Sequence, residues 1–138
     1  MITSFQELER HVLSHGLRGR IALANAQDEP ALAALVRAQR AGAAEGTLIG
    51  PADEIARLLH GMGEQVSDYE IVPFTGTELD AAKLAVRTVR EGRADMLMKG
   101  LLHTADFARA ILNRETGLMP QSGRRLLSQC GFFQYDGR

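Results

Sequence analysis

The chain has 138 residues, 45% of them hydrophobic and 24% charged, which is the size and balance of one globular domain. Sixteen Lys and Arg against seventeen Asp and Glu leave a net charge of -1, so there is no global electrostatic case for nucleic acid or an anionic membrane as partner. One cysteine, Cys130, excludes an internal disulfide and a cysteine-based zinc site, and no apolar run approaches the roughly 20 residues of a membrane span.

The first segment, 4–15, carries Phe5, Leu8, Val12 and Leu13 at helical spacing, with Ser4 and Glu7 placed as a capping box. It lacks the basic start and apolar stretch of a signal peptide, so a cytoplasmic chain is expected. Residues 20–24 read as a short buried strand. Asp28 as N-cap and Pro30 in the first turn then open a helix that presents Leu32, Leu35, Val36 and Gln39 and closes at Gly42. The same unit recurs three times. Strands are expected at 46–50, 69–73 and 94–98, and helices at 51–60, 78–90 and 104–113. Such alternation with short links predicts an α/β fold: a three-layer parallel sheet with helices on both faces and right-handed crossovers. The last stretch, 123–135, holds Leu126, Leu127, Cys130, Phe132 and Phe133 without a helical face, and reads as one long strand or two short ones.

In an open parallel sheet, ligands bind beyond the C-terminal ends of the strands, and the fourth exit is the richest in chemistry. Lys99 leaves the strand directly, Gly100 lets a ligand approach the backbone, and His103 and Thr104 stand where the next helix begins. A helix N-terminus offers free N–H groups and partial positive charge, which suits phosphate. Lys99 adds a full charge, Thr104 a hydroxyl, and Arg109, just over one turn on, a guanidinium fork. The structural alternative is that Thr104 is only an N-cap, His103 a loop residue, and Lys99 and Arg109 solvated charges. Other signals are weaker. Gly61-Met62-Gly63 follows a helix and reads as its stop, not a dinucleotide loop. His11 and His15 share a helix face but have no third metal ligand. The acidic pair Asp28-Glu29 resembles that of a phosphoacceptor domain, yet Pro73-Phe74 stands where such a fold needs an aspartate. Cys130 lies in an apolar run and reads as packing.

The residues from Arg87 to Gly100 (Arg87-Thr88-Val89-Arg90-Glu91-Gly92-Arg93-Ala94-Asp95-Met96-Leu97-Met98-Lys99-Gly100) resemble the central signature of the phosphate acetyl/butyryltransferase family. His103-Thr104-Ala105-Asp106, Arg109-Ala110-Ile111-Leu112-Asn113, Gly117-Leu118 and Arg124-Arg125-Leu126-Leu127-Ser128 continue the likeness, which leans to the butyryltransferase branch. The resemblance implies conversion of acyl-CoA and inorganic phosphate to acyl phosphate and CoA. Coenzyme A is then a substrate, and no cofactor is held covalently. It implies the first lobe of an isocitrate/isopropylmalate dehydrogenase-like fold over 1–122, with 123–138 a crossover strand segment leading to a second lobe. Only the N-terminal half of the family pattern is matched, so the expected fragment is inactive alone; a non-catalytic anion-binding α/β module is the alternative. By resemblance Lys99, Gly100, His103, Thr104, Arg109 and Ser128 line the phosphate side of the cleft. Gln129 stands where the butyryltransferase pattern has histidine. The uncovered apolar C-terminal segment is expected to support a homodimer, to be swapped, or to fold back on the lobe.

Overall fold

Four parallel strands form one sheet in the order β3-β2-β1-β4, in a computed structural model that describes residues 1–123 and 126–135. The strands are β1 (Gly19–Ala24), β2 (Ala44–Gly50), β3 (Glu70–Pro73) and β4 (Met96–Lys99). The helices are α1 (Phe5–Ser14), α2 (Glu29–Arg40), α3 (Ala52–Gly61), α4 (Glu78–Arg90) and α5 (Thr104–Leu112). β1 is central: Leu23 pairs with Leu48 on one side and with Met98 on the other. The expected α/β class and the fourfold strand–helix alternation are both present.

Alternation along each strand divides the core in two. Leu23 and Leu48 point to one face and meet Leu32, Leu35 and Val36 of α2 and Ile55 and Leu59 of α3. Ala22, Ala24 and Ile49 point to the other and meet Ala82, Ala85 and Val86 of α4 and Ala110 of α5. The first face is therefore packed with large branched side chains, the second chiefly with alanines. Thr88, also buried, turns its hydroxyl to the Leu84 carbonyl, so its burial leaves no unpaired donor.

The element ends show where sequence periodicity stops short. β4 starts at Met96, not Ala94, because the Asp95 amide bonds to Arg20 O and the Asp95 carboxylate accepts the Arg20 amide, both at 2.8 Å, closing the strand end. β2 starts two residues earlier than read, at Ala44, opposite Gly19. β3 follows a 3-10 turn at Val66–Asp68. At α1, Ser4 Oγ accepts the Glu7 amide as expected, but the Glu7 carboxylate reaches Thr3 rather than Ser4, so the box is displaced by one residue. Asp28 occupies the N-cap of α2 without a side-chain capping bond.

The expected strand at 123–135 is not formed among its described residues: Gly123 and 126–135 have no ladder partner and no regular structure. Its β-prone composition joins neither edge strand of the sheet, β3 or β4. Instead the segment folds back, with Phe132 and Phe133 beside Phe5 and Leu8, and with Gln134 Oε1 accepting the Phe5 amide at 2.7 Å. Leu126, Phe132 and Phe133 stay exposed, and Cys130 is exposed rather than packed. Arg124, Arg125 and 136–138 lie outside the described residues. Among the described residues, no helix is long and apolar enough to cross a membrane.

Candidate functional site

The sheet reverses its strand order between β1 and β4. The chain leaves β1 toward β2 and β3, then returns through α4 to pair on the opposite side of β1. The crevice at the C-terminal ends of these two strands is where an open α/β sheet offers a site.

Sequence chemistry shapes both exits. After Ala24 the backbone turns at Asn25 in the left-handed region, φ 53°, which asparagine tolerates better than most residues. Asn25 is buried and its Nδ2 donates to Leu101 O at 3.0 Å. The Gly100 amide donates to Ala24 O and the Leu101 amide to Asn25 O, each at 2.9 Å. Gly100 is packed so closely that a Cβ would stand 2.2 Å from Asn25 O and 2.6 Å from Ala24 O. Only glycine fits, and what it provides here is close contact between the two strand exits.

Lys99 ends β4 with its side chain exposed and a long contact of 3.3 Å to its neighbour's carbonyl, Gly100 O. It forms no ion pair among the described residues. His103 is the N-cap of α5, and its backbone N–H and ring Nδ1 both meet Glu78 Oε2, at 2.6 and 2.7 Å. Thr77 caps α4 by accepting the Asp80 amide, which leaves Glu78, the first residue of that helix, free to reach across. The His103 backbone N–H, then its ring, hold the Glu78 carboxyl below the ordinary 4.5, and Lys99 adds to this.

Asp28, Glu78, Lys99, Gly100, Leu101, Leu102 and His103 surround a shallow concavity of about 230 Å³. Three of the six residues expected at the site, Lys99, Gly100 and His103, are thus brought together. Thr104 is the first helical residue of α5, exposed, and outside the lining. Arg109 is turned to Asp106, with Nη1 to Oδ1 at 3.0 Å, and does not line the concavity. Ser128 lies in the folded-back segment, also outside it. Glu78 was not foreseen, since a carboxylate in a helix first turn is ordinary and its partner is 25 residues away. The side chains of Glu78, His103 and Asp106 gather closely, but both carboxylates are already engaged: Glu78 accepts from His103, and Asp106 pairs with Arg109. A wider groove of about 710 Å³ runs along α4 from Phe74 at the β3 exit, apart from the β1–β4 crevice, and its cations are engaged: Lys83 with Asp80, Arg87 with Glu91, Arg90 with Glu115 O.

Fold and crevice together define an open parallel α/β unit with a small polar concavity at its switch point, lined by Lys99 and His103 together with the carboxylates of Asp28 and Glu78. No family model matches the chain. Phosphate butyryltransferase of Clostridium acetobutylicum is 44% identical over 118 residues, which cover 86% of this chain and 38% of that protein. Phosphate acetyltransferase of Thermotoga maritima is 32% identical over 106 residues, covering 77% and 35%. A solved phosphotransacetylase from Streptococcus pyogenes shares the fold, with a TM-score of 0.65 at 23% identity over 79% of this chain and 42% of that one. The chain is homologous to the phosphate acetyl/butyryltransferase family and matches its N-terminal part, as its residues led us to expect. It spans well under half the length of these curated relatives.

Proposed function

We propose that this chain is the N-terminal portion of a phosphate acyltransferase, acting in the exchange of acyl-CoA and phosphate for acyl phosphate and CoA, and that its concavity holds the phosphate. The observation that carries the reading is the Lys99–Gly100 exit, where an ammonium with no ion pair among the described residues stands beside the junction of two strand ends at the switch point. The relatives' names supply the reaction class. In this chemistry the protein must hold a multiply charged oxyanion while a carbonyl passes through a tetrahedral state. Lys99 supplies charge and the α5 N-terminus supplies its dipole.

On this reading the chain forms the first lobe of an isocitrate/isopropylmalate dehydrogenase-like pair, and residues 123–138 lead toward the second. Half a cleft cannot position a CoA thiol, so the 138-residue chain binds phosphate without catalysing transfer. The exposed Leu126, Phe132 and Phe133 support self-association through the C-terminal segment. Two measurements test this. Inorganic phosphate should shift the amide resonances of Gly100 and Leu101 in the 138-residue chain, and butyryl-CoA turnover should match a heat-denatured control. Unmoved amides at millimolar phosphate refute the anion site; turnover above the control refutes the half-cleft reading. Light scattering should show a dimer that is lost in a chain ending at Gln121.

A further inference from the structure

Glu78 and His103 belong to different strand–helix units and meet at the mouth of the concavity. Oε2 of Glu78 accepts twice from one residue, from the His103 backbone N–H at 2.6 Å and from ring Nδ1 at 2.7 Å. An ionised carboxylate has no proton to give, so the ring nitrogen must be the donor. This selects the tautomer with its proton on Nδ1. Nε2 is then the ring atom left for a ligand, on a side chain that is 81% exposed beside Lys99 and Gly100. The other charged groups around the ring are Asp28 from the β1 exit, Lys99 from β4, and Asp106 with its partner Arg109 on α5.

We propose that Glu78 is a positioning residue that locks His103 in the Nδ1–H tautomer and so presents Nε2 as the proton-exchanging atom of the site. The tautomer stands on the geometry alone; what Nε2 meets rests on the phosphate acyltransferase reading. With acyl-CoA and monohydrogen phosphate, a phosphate oxygen forms the new bond to the thioester carbonyl carbon and the C–S bond breaks. Nε2 takes the phosphate's proton, and the Glu78 carboxylate balances the imidazolium so formed. The proton then passes to the departing thiolate, giving the CoA thiol and restoring the neutral ring. No further reactant is needed.

Long-range proton–nitrogen correlation spectra of the 138-residue chain at about pH 8, above the ordinary imidazole range, read the tautomer directly. The expected ratio favours Nδ1–H by more than about 10:1. Glu78→Gln, which keeps a carbonyl acceptor, should retain that preference, and Glu78→Ala should abolish it, with the amide spectrum reporting that each variant is folded. Adding inorganic phosphate should move Nε2 upfield, toward its protonated position, together with the Gly100 amide. A predominantly Nε2–H ring in the unsubstituted chain overturns the proposal without any variant. Phosphate that moves the Gly100 amide but not Nε2 overturns it while leaving the anion site intact. Phosphate that moves neither overturns the anion site, and this inference with it.

Discussion

Replacing Gly100 by alanine tests whether the strand exits are truly in contact. The new Cβ would sit 2.2 Å from Asn25 O and 2.6 Å from Ala24 O, both main-chain atoms that cannot swing aside. Restoring ordinary contact requires the β1 and β4 exits to part by about 1 Å. That movement disrupts the two 2.9 Å bonds from the Gly100 and Leu101 amides, at about 1 kcal/mol each. Overpacking adds about 1–3 kcal/mol, for a total of about 3–5 kcal/mol. In a domain of this size each kcal/mol lowers Tm by about 3–4 °C, so a fall of about 9–20 °C is expected in thermal unfolding followed by circular dichroism. Gly61→Ala is the matched control, because a Cβ there meets nothing within 4 Å. It should leave Tm unchanged or raise it by about 1–3 °C. A Gly100→Ala chain melting within about 3 °C of the unsubstituted protein would refute the contact argument.

Lys99→Ala should weaken phosphate binding about tenfold by calorimetry, the loss of one charge-assisted contact, whereas Arg109→Ala, whose guanidinium is held by Asp106 outside the concavity, should change it by less than about twofold. Glu78 titrates below its ordinary 4.5, so its stabilising effect is present above that value and disappears as pH falls through the lowered native one. The Tm difference between the unsubstituted chain and Glu78→Gln should therefore persist at neutral pH and vanish in strong acid. Burial first, then the hydrogen bond to Glu64, push the Tyr69 hydroxyl up to about 12, so ultraviolet titration should show a tyrosine ionising near that pH. Because the folded state favours the protonated phenol, this contribution is complete below the ordinary 10 and is lost as pH rises through the raised value.

The layering was legible in the sequence because each strand–helix round carries its own punctuation: Gly42, Gly63 and Gly92 close helices, each at positive φ. The Lys99–Gly100–His103 grouping was legible because the topology sends strand exits to one end of the sheet. Glu78 was not, since its role depends on how α4 and α5 lie side by side, a tertiary fact with no local signal. Asn25 was not legible either, since its buried amide gains meaning only from Leu101, 76 residues later. The 123–135 stretch misled because β propensity describes fit to a half-buried pleated surface, and such a surface needs a neighbouring strand. Leu126 and Phe133 have the composition of a strand and no ladder to join.

The alanine layer beneath α4 leaves that helix without mechanical slack. Ala22, Ala24, Ala82 and Ala85 have no side-chain rotamers, so a larger residue at any of them presses directly on the seat of α4 and on the side chains at its margin, such as Leu79 and Leu97. Glu78 is the first residue of α4, and its carboxylate is the strut on which the His103 loop rests. Under α2 and α3 the leucines and isoleucines can trade volume by turning about their own bonds. Sequence drift in that half of the core is absorbed locally; under α4 it is transmitted to the mouth of the concavity, so the plainest residues in the chain hold its tolerances most tightly.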